Sequence, residues 1–467
     1  MRLHDTLRAS KRVFSPRDGK RVGVYVCGPT VYDLAHIGNA RSVVVYDVLF
    51  RLLKALYPEV VYVRNITDVD DKIINAANSE GKSIAELTAH YTKLFHEDIK
   101  ELNCLPPTFE PKATEEIETM LFIIGKLIET GHAYVRGGTV YFSVESYEHY
   151  GALSGRKLCD MISGSRVEVV AEKLHPGDFV LWKPATDLDM KLGACWSSPW
   201  GVGRPGWHVE CSAMSYRYLG ESFDIHGGGA DLMFPHHENE LSQSCCAFHG
   251  SEYARYWVHN GFLTVNGGEK MSKSLGNVIT VRGLLNSGVD GEVVRYAFLS
   301  THYRKPLDWG DKLVLDAKEA LNKIYRSCEG FPAKLLNTGL EYVDVHDGVM
   351  SSLQDDINTP GAIAALHELV KEINKASDSD EKLRLAKMLN KSAMLMGLFH
   401  NFPERKFSSI QNLVNEDEIE RLIAKRIEAK KCGDFKLADE IRKNLSSMGI
   451  GVSDGKDGST RWHRKTD

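Results

Sequence analysis

Two short segments combine residue types that can bind a nucleoside triphosphate. The first, His36-Ile37-Gly38-Asn39, follows a predicted strand and turn and lies at the start of a predicted helix. Gly38 lets a ligand approach the backbone closely, and the first N–H groups of a helix attract phosphate. His36 can donate a hydrogen bond to the α-phosphate as that phosphorus becomes pentacoordinate. Considered alone, the segment is better explained by a structural histidine, so it needs support from elsewhere in the chain.

The second segment, Lys270-Met271-Ser272-Lys273-Ser274, is flanked by Gly267-Gly268 and Gly276. Its two lysines, on a short loop between glycines, could close on a triphosphate and stabilise the charge that accumulates on the leaving pyrophosphate. The alternative is a solvated basic loop, which is the usual explanation of a Lys/Ser run. The methionine inside the segment and the flanking glycines favour the functional interpretation.

Four further residues have side chains that zinc prefers: Cys27, Cys211, His236 and Glu240. Cys27 follows a predicted strand, at the end where open parallel sheets place their ligands. His236 and Glu240 are four residues apart, so on a helix both project from one face. Each residue also has an ordinary explanation, as a buried thiol or as a helical ion pair, and spacing alone does not decide between them.

The elements around these residues indicate a parallel, doubly wound α/β sheet of the Rossmann-like kind. Arg21–Val26 predicts a buried strand, Ala40–Tyr57 a helix and Val60–Asn65 a second β-branched strand. This order of strand, turn, helix and strand opens a nucleotide-binding sheet. The pattern of a buried parallel strand returns at Phe223–Ile225, before three consecutive glycines.

Other regions have different sequence patterns. Gly137–Val144 alternates like an antiparallel strand, and the loop-rich sequence up to about Pro205 suits an insertion between two halves of the sheet. After Trp309 the sequence is almost entirely helical and predicts a bundle. A break at Asn401-Phe402-Pro403 then precedes a tail with a basic helical stretch, Glu418–Leu445.

The composition is that of a globular protein. With 467 residues, 43% of them hydrophobic and 26% charged, we expect two to four domains. The net charge of −5 gives no global basic field, although a local basic face is enough to bind phosphates. Nine cysteines without framework spacing, no secretory signal and no long apolar stretch predict reduced thiols, no membrane span and a cytoplasmic location.

In this order and at this separation, the two nucleotide segments resemble the signature pair of class I aminoacyl-tRNA synthetases. Asn39 stands where the general motif of that class has a second histidine, and its amide can still donate to phosphate. Within the class, the chain resembles the cysteinyl-tRNA synthetase family through four blocks: Cys27–Tyr32, Asn65–Lys72, Gly203–Met214 and Asp224–Glu240. The resemblance extends from the first predicted strand to Trp462.

The resemblance implies that cysteine is activated with ATP and joined to tRNA(Cys), with Mg²⁺ accompanying ATP. It implies one Zn²⁺, bound by Cys27, Cys211, His236 and Glu240, which recognises the thiol and rejects serine without a separate editing domain. His36, Asn39, Lys270 and Lys273 are then the catalytic residues. Thr67 and Trp207 would contact the cysteine, although Trp207 is almost as well explained as a core aromatic. His226 to Asp231 would form the adenosine side, so the expected nucleotide-binding residues are His36, Gly38, Gly227, Gly229, Asp231 and Lys273.

The family likeness also implies a domain order and a monomer. The expected parts are a first catalytic half (1–125), a connective insertion (126–205), a second catalytic half with the zinc site (206–260), a mobile-loop region (261–312), a helical bundle (313–402) and a small anticodon-binding domain (403–467). Basic side chains and one aromatic in the tail suit a splayed anticodon, namely Arg421, Lys425, Arg426, Lys430, Lys431, Lys436, Arg442, Lys443, Arg461, Trp462 and Arg464.

Two other functions fit part of the sequence. A cysteine ligase of thiol-cofactor synthesis resembles the same catalytic half and also adenylates cysteine, but it lacks the basic tail. A zinc-dependent RNA-binding regulator without catalysis would not need the complete Lys270–Ser274 loop. Cysteine-dependent ATP–pyrophosphate exchange separates the enzyme from the regulator, and charging of tRNA separates the synthetase from the cofactor ligase.

Overall fold

The computed structural model describes residues 1–156, 172–265, 267–271, 276–399, 416–432, 434–447, 450–454 and 460–464. Its strands are β1 (Arg2–Asp5), β2 (Ser10–Val13), β3 (Arg21–Val26), β4 (Glu59–Arg64), β5 (Ala133–Arg136), β6 (Thr139–Phe142), β7 (Phe179–Pro184), β8 (Gly203–Pro205), β9 (Ser222–Gly229), β10 (Tyr253–Asn260), β11 (Leu263–Val265), β12 (Glu269–Lys270), β13 (Leu307–Trp309), β14 (Ile450–Asp454) and β15 (Thr460–Arg464). Its α-helices are α1 (Ile37–Leu56), α2 (Asp71–Glu80), α3 (Ile84–Glu101), α4 (Ile117–Glu129), α5 (Asp187–Leu192), α6 (Trp207–Leu219), α7 (Glu238–Ala247), α8 (Val281–Asn286), α9 (Gly291–Leu299), α10 (Asp311–Ser327), α11 (Ala333–Asn337), α12 (Asp347–Gln354), α13 (Thr359–Lys375), α14 (Ser379–Met394), α15 (Glu416–Lys431) and α16 (Phe435–Ser447).

A four-stranded parallel sheet carries the candidate site. Its strand order is β10-β9-β3-β4, with Val26 opposite both Gly227 and Arg64. Parallel strands are covered on both faces, which is why β3 and β4 are runs of apolar residues rather than alternating patterns. Because all four strands run the same way, the residues that follow β3, β4, β9 and β10 meet at one edge of the sheet.

Helix α1 connects β3 to β4 and begins three residues earlier than the sequence predicts. The imidazole of His36 accepts a hydrogen bond from the backbone N–H of Asn39, so His36 is the N-cap and Ile37 the first helical residue. Histidine is not among the usual N-cap residues, and the propensity pattern therefore did not predict this first turn.

The insertion between Ala133 and Pro205 contains an antiparallel sheet of order β5-β6-β7-β8. The sequence predicted a single strand from Gly137 to Val144, and this is wrong at its start. Gly137 and Gly138 have φ values of 57° and 79° and form the hairpin turn between β5 and β6. Two consecutive left-handed residues are the requirement of a tight hairpin turn, which glycine meets without strain.

The chain divides into two compact units, Met1–Arg282 with Gly291–Arg405, and Gly283–Asp290 with Lys406–Asp467. In the first unit, the helical region after β13 contains α10 to α14. In the second, Ile423 on α15 packs with Ile441 and Leu445 on α16.

The predicted basic stretch of the tail is two helices rather than one. The side chain of Asp434 accepts from the N–H of Leu437 and caps α16. Arg421, Lys425 and Arg442 are exposed, whereas Arg426 is 3% exposed and does not belong to an exposed basic surface. The side chains of Lys431, Lys436, Lys443, Arg461, Trp462 and Arg464 lie outside the described part of the chain.

Candidate active site and metal centre

The four predicted metal ligands lie together at the carboxyl edge of the parallel sheet. The ligand atoms of Cys27, Cys211, His236 and Glu240 are all within 4.8 Å of one another. The two Sγ atoms are 3.6 Å apart, Sγ of Cys27 is 3.4 Å from Oε1 of Glu240, and Nε2 of His236 is 3.0 Å from the same oxygen. Apart from Cys27, which is half-buried, the ligands are fully buried.

Different elements supply these ligands. Cys27 directly follows β3, and Cys211 lies in the second turn of α6. His236 lies in the turn before α7, and Glu240 lies in the first turn of that helix. The i, i+4 spacing therefore brings the imidazole and the carboxylate together, as the sequence predicted, although the helix begins only after His236.

Two thiols, one imidazole and one carboxylate form a donor set that suits zinc. Burial raises the pKa of the Cys211 thiol, but the hydrogen bond from Cys27 and the contact with His236 oppose it and bring that pKa down to about 6. Burial and the neighbouring Cys211 sulfur raise the pKa of Cys27. The pocket therefore favours the thiolate of Cys211 over that of Cys27, and a dication would stabilise both. These residues fit a zinc ion.

The ligand atoms of a second set, Cys27, His226, His237 and Glu240, also lie within 4.8 Å of one another, but this set contains one sulfur instead of two. Nε2 of His226 contacts Oε2 of Glu240 at 2.8 Å, and Nδ1 of His237 contacts His259 at 2.8 Å. Because Nε2 of His226 is already paired with Glu240 and this set lacks the second sulfur, we assign the two imidazoles to the support of the first set. His226 is fully buried and its imidazole contacts Glu240, and its place on the adenosine side stays a prediction.

Trp207 and His208 cover the imidazole of His236. The Trp207 ring stacks on it with centroids 4.1 Å apart and planes inclined by 22°, and 39% of Trp207 remains exposed. Nδ1 of His208 lies 2.9 Å from Nδ1 of His236. Trp207 is thus a wall of the site rather than a core aromatic, and its indole is accessible to a ligand.

Thr67 lies beside the metal ligands and is linked to them through Asn65. Its hydroxyl donates to Oε2 of Glu210 and accepts from the amide of Asn65, both at 3.2 Å. The carbonyl oxygen of that amide accepts from the N–H of Gly28 at 2.9 Å and lies 3.8 Å from Sγ of Cys211. The sequence prediction missed Glu210, a fully buried carboxyl whose pKa burial raises; its position one residue before Cys211 was the available signal.

The start of α1, with its predicted nucleotide-binding residues, contacts the segment that follows the Lys270–Ser274 motif. Thr280 pairs with His36 in an antiparallel bridge, and the N–H of Ile37 donates to the carbonyl of Ile279 at 3.0 Å. Cε of Met271 lies 3.6 Å from the place that a Cβ on Gly38 would occupy. Lys270, at the end of β12, is exposed, and Lys273 lies outside the described residues.

The glycines of β9 lie against other side chains. A Cβ on Gly227 would lie 2.3 Å from Cε1 of Tyr46, which fills the space behind this glycine. The exposed side chain of Asp231 folds back to within 2.2 Å of the corresponding position on Gly229. At Gly227 the buried ring of Tyr46 leaves no room for a Cβ, whereas at Gly229 the exposed carboxylate of Asp231 could move aside.

Gly28 offers a test of how tightly the carboxyl edge of the parallel sheet is packed around the proposed metal ligands. An added Cβ would lie 1.6 Å from the backbone oxygen of Asn65, so the two strand ends would have to separate. We expect Gly28→Ala to lower the free energy of unfolding by at least about 1–3 kcal/mol and to weaken metal binding, as measured by denaturant melts and chelator competition. Gly19→Ala is the control, because no atom lies within 4 Å of its Cβ. Equal stability of the two variants would contradict the close approach.

Comparison with known proteins gives the family. Residues 13–319 match the family described as tRNA synthetases class I (C) catalytic domain, and residues 348–400 match the DALR domain. The cysteine–tRNA ligase of Anaplasma marginale (strain St. Maries) is 86% identical over 465 residues, which cover 100% of both chains. The chain belongs to the cysteine–tRNA ligase family. The cysteine–tRNA ligase of Anaplasma phagocytophilum (strain HZ) is 66% identical over 99% of this chain and 100% of its own length.

The fold of this ligase family recurs in a solved structure of Mycobacterium tuberculosis methionyl-tRNA synthetase in complex with methionyl-adenylate. The TM-score is 0.57 at 17% identity, over 81% of this chain and 89% of that one. The predictions of the family, of an aminoacyl-tRNA synthetase and of a parallel α/β catalytic sheet followed by helices are confirmed. Among the described residues, no helix combines the length and apolar character needed to cross a lipid bilayer.

Proposed function

We propose that this ligase activates L-cysteine with ATP and transfers it to the 3′ end of tRNA(Cys), selecting cysteine through a zinc ion bound by the four ligands. The observation that carries the proposal is the cluster of two sulfurs, one nitrogen and one carboxylate within 4.8 Å, at the edge where the His36 turn also lies. Its relatives of 86% and 66% identity over their whole lengths carry the name cysteine–tRNA ligase.

Selection of cysteine over serine requires more than shape. The two amino acids differ only in sulfur for oxygen, and an apolar pocket discriminates so small a change by about 1–3 kcal/mol. A zinc ion held by Cys27, Cys211, His236 and Glu240 would supply direct coordination of the substrate thiolate, which the hydroxyl of serine cannot match. We assign Trp207, which stacks on His236, to the apolar surface of the cysteine, and Thr67, which is held by Asn65 and Glu210, to its α-ammonium group.

In the first step, a carboxylate oxygen of cysteine attacks the α-phosphorus of ATP and the bond to pyrophosphate breaks. Nδ1 of His36 accepts from the N–H of Asn39, so in the neutral ring Nε2 carries the proton and can donate it to the α-phosphate. Lys270 and Lys273 would stabilise the leaving pyrophosphate, whose charge Mg²⁺ shares. In the second step, a hydroxyl of the terminal ribose of the tRNA attacks the carbonyl carbon and AMP leaves.

Neither step needs a nucleophile from the protein, so positioning and charge stabilisation account for the rate. We assign Gly38, Gly227, Gly229 and Asp231 to the nucleotide, and residues 403–467 to the anticodon. The domain order given above, a monomeric state and a cytoplasmic location complete the proposal. The exposed cations Arg421, Lys425 and Arg442 support the tRNA contact.

Three measurements on the purified protein test this function. We expect one zinc per chain by metal analysis, ATP–pyrophosphate exchange that depends on cysteine and not on serine, and charging of tRNA(Cys) with cysteine. Exchange without charging would favour the cofactor ligase, and tRNA binding without exchange would favour a regulator. Exchange that serine supports as well as cysteine would refute the zinc-based selection.

A further inference from the structure

Tyr253, a residue outside the sequence motifs, directly contacts the proposed metal ligand Glu240. It begins β10 and is 1% exposed, and its hydroxyl donates to Oε2 of Glu240 at 2.9 Å. Nε2 of His226 contacts that same oxygen at 2.8 Å. Oε1, by contrast, faces His236 and Cys27 at 3.0 and 3.4 Å. The two carboxylate oxygens therefore have different environments. Oε2 is held by the buried side chains of Tyr253 and His226, and Oε1 faces the other proposed metal ligands.

The backbone of Tyr253 is in an unusual conformation. Its φ is +55°, in the left-handed region that a bulky non-glycine residue rarely adopts. The N–H of Tyr253 donates to Oγ of Ser251 at 3.0 Å, and that hydroxyl lies 3.1 Å from Oγ of Ser222. At the other end of the side chain, Oγ of Ser215 lies 3.0 Å from the phenolic oxygen. Costly backbone conformations persist where the surroundings impose them, and they concentrate at functional sites.

We propose that Tyr253 is a positioning residue that holds Glu240 so that it offers one oxygen, rather than two, to the metal. The inference rests on the proposed zinc site and adds to it a residue that sets the carboxylate's orientation. Since Oε2 is held by Tyr253 and His226, Oε1 alone faces Cys27 and His236. A carboxylate fixed in this way cannot rotate its second oxygen toward the metal and compete with the thiolate of the substrate.

The test is Tyr253→Phe, which removes one oxygen and keeps the ring contacts with Phe223 and Trp257. Tyr303→Phe is the matched control, because Tyr303 is also 1% exposed and donates to a buried carboxylate, Asp356, at 2.8 Å. Zn²⁺ affinity is measured by chelator competition, and the absorption spectrum of the Co²⁺-loaded protein reports the ligand geometry. We expect Tyr253→Phe to weaken Zn²⁺ binding by about 10–100-fold and to shift the Co²⁺ bands, while Tyr303→Phe changes neither.

The outcomes separate this inference from the function on which it rests. Wild-type protein that binds neither Zn²⁺ nor Co²⁺ would overturn both. If the wild-type protein binds metal and Tyr253→Phe keeps its affinity and its Co²⁺ spectrum, only the positioning role is wrong. If Tyr253→Phe does not fold, Ser215→Ala decides, because Ser215 contacts the phenolic oxygen and not Glu240. A measurable loss of Zn²⁺ affinity in that variant supports the role, and an unchanged affinity overturns it.

Discussion

Replacing Cys211 with serine is expected to abolish cysteine-dependent ATP–pyrophosphate exchange and to weaken Zn²⁺ binding by more than the ~10–100-fold that loss of an outer-shell partner costs. The sulfur of Cys211 lies 3.6 Å from that of Cys27, and a hydroxyl at this position is a far poorer zinc ligand than a thiolate. Chelator competition measures the affinity, and radiolabelled pyrophosphate exchange measures the activity. We expect cysteine-dependent exchange to be lost together with Zn²⁺ affinity, because the proposed selection of cysteine depends on the bound ion.

The matched control is Cys328→Ser, which makes the same atomic change at a fully buried thiol at the end of α10. Burial raises the pKa of Cys328 to about 11, as expected of a thiol that serves only packing. We expect this variant to keep full zinc content and exchange activity, whatever its cost in stability. Exchange by Cys211→Ser at the wild-type rate, with serine still rejected, would remove the metal from the proposed selection mechanism.

The sequence predicted the parallel sheet because its strands are continuous apolar runs. A strand covered on both faces leaves no polar alternation, and Arg21–Val26 and Glu59–Arg64 both show this texture. The sequence did not predict the strand order β10-β9-β3-β4, since its β9–β3 pairing joins distant residues such as Val24 and Ile225 and depends on long-range packing. The hairpin at Gly137-Gly138 had a recognisable local signal, the glycine pair itself, which the alternating pattern around it obscured.

The site was predictable to the extent that ligand chemistry is visible in residue types. Cys27, Cys211, His236 and Glu240 have side chains that zinc prefers, and the family resemblance joined the four into one site. The supporting residues were not visible in the same way. His226 lies in a glycine-rich block that suggested a nucleotide contact, yet in the folded chain its imidazole contacts the carboxylate of Glu240. Tyr253 belongs to no block, and its contact depends on a left-handed backbone that no propensity scale predicts for tyrosine.

His36 performs two tasks that a single substitution can separate. Its Nδ1 caps α1 by accepting from the N–H of Asn39 at 3.2 Å, and its Nε2–H is proposed to donate to the α-phosphate in the transition state. Asparagine is a good N-cap residue but is too short to keep the second contact. We therefore expect His36→Asn to leave the free energy of unfolding within about 1 kcal/mol of the wild type and to lower the rate of cysteinyl-adenylate formation by ~10²–10³-fold.

The chain contains a matched control for this variant in His346, which caps α12 by accepting from the N–H of Gly348, also at 3.2 Å. His346→Asn makes the same change at a helix start to which the proposed function assigns no phosphate, so its adenylation rate should equal that of the wild type. Single-turnover adenylate formation at saturating ATP measures the rate. The apparent affinity for ATP should change little, because an interaction made only in the transition state lowers the rate without weakening the ground-state complex. If His36→Asn instead weakens ATP binding and leaves the rate unchanged, His36 binds the nucleotide without stabilising the transition state.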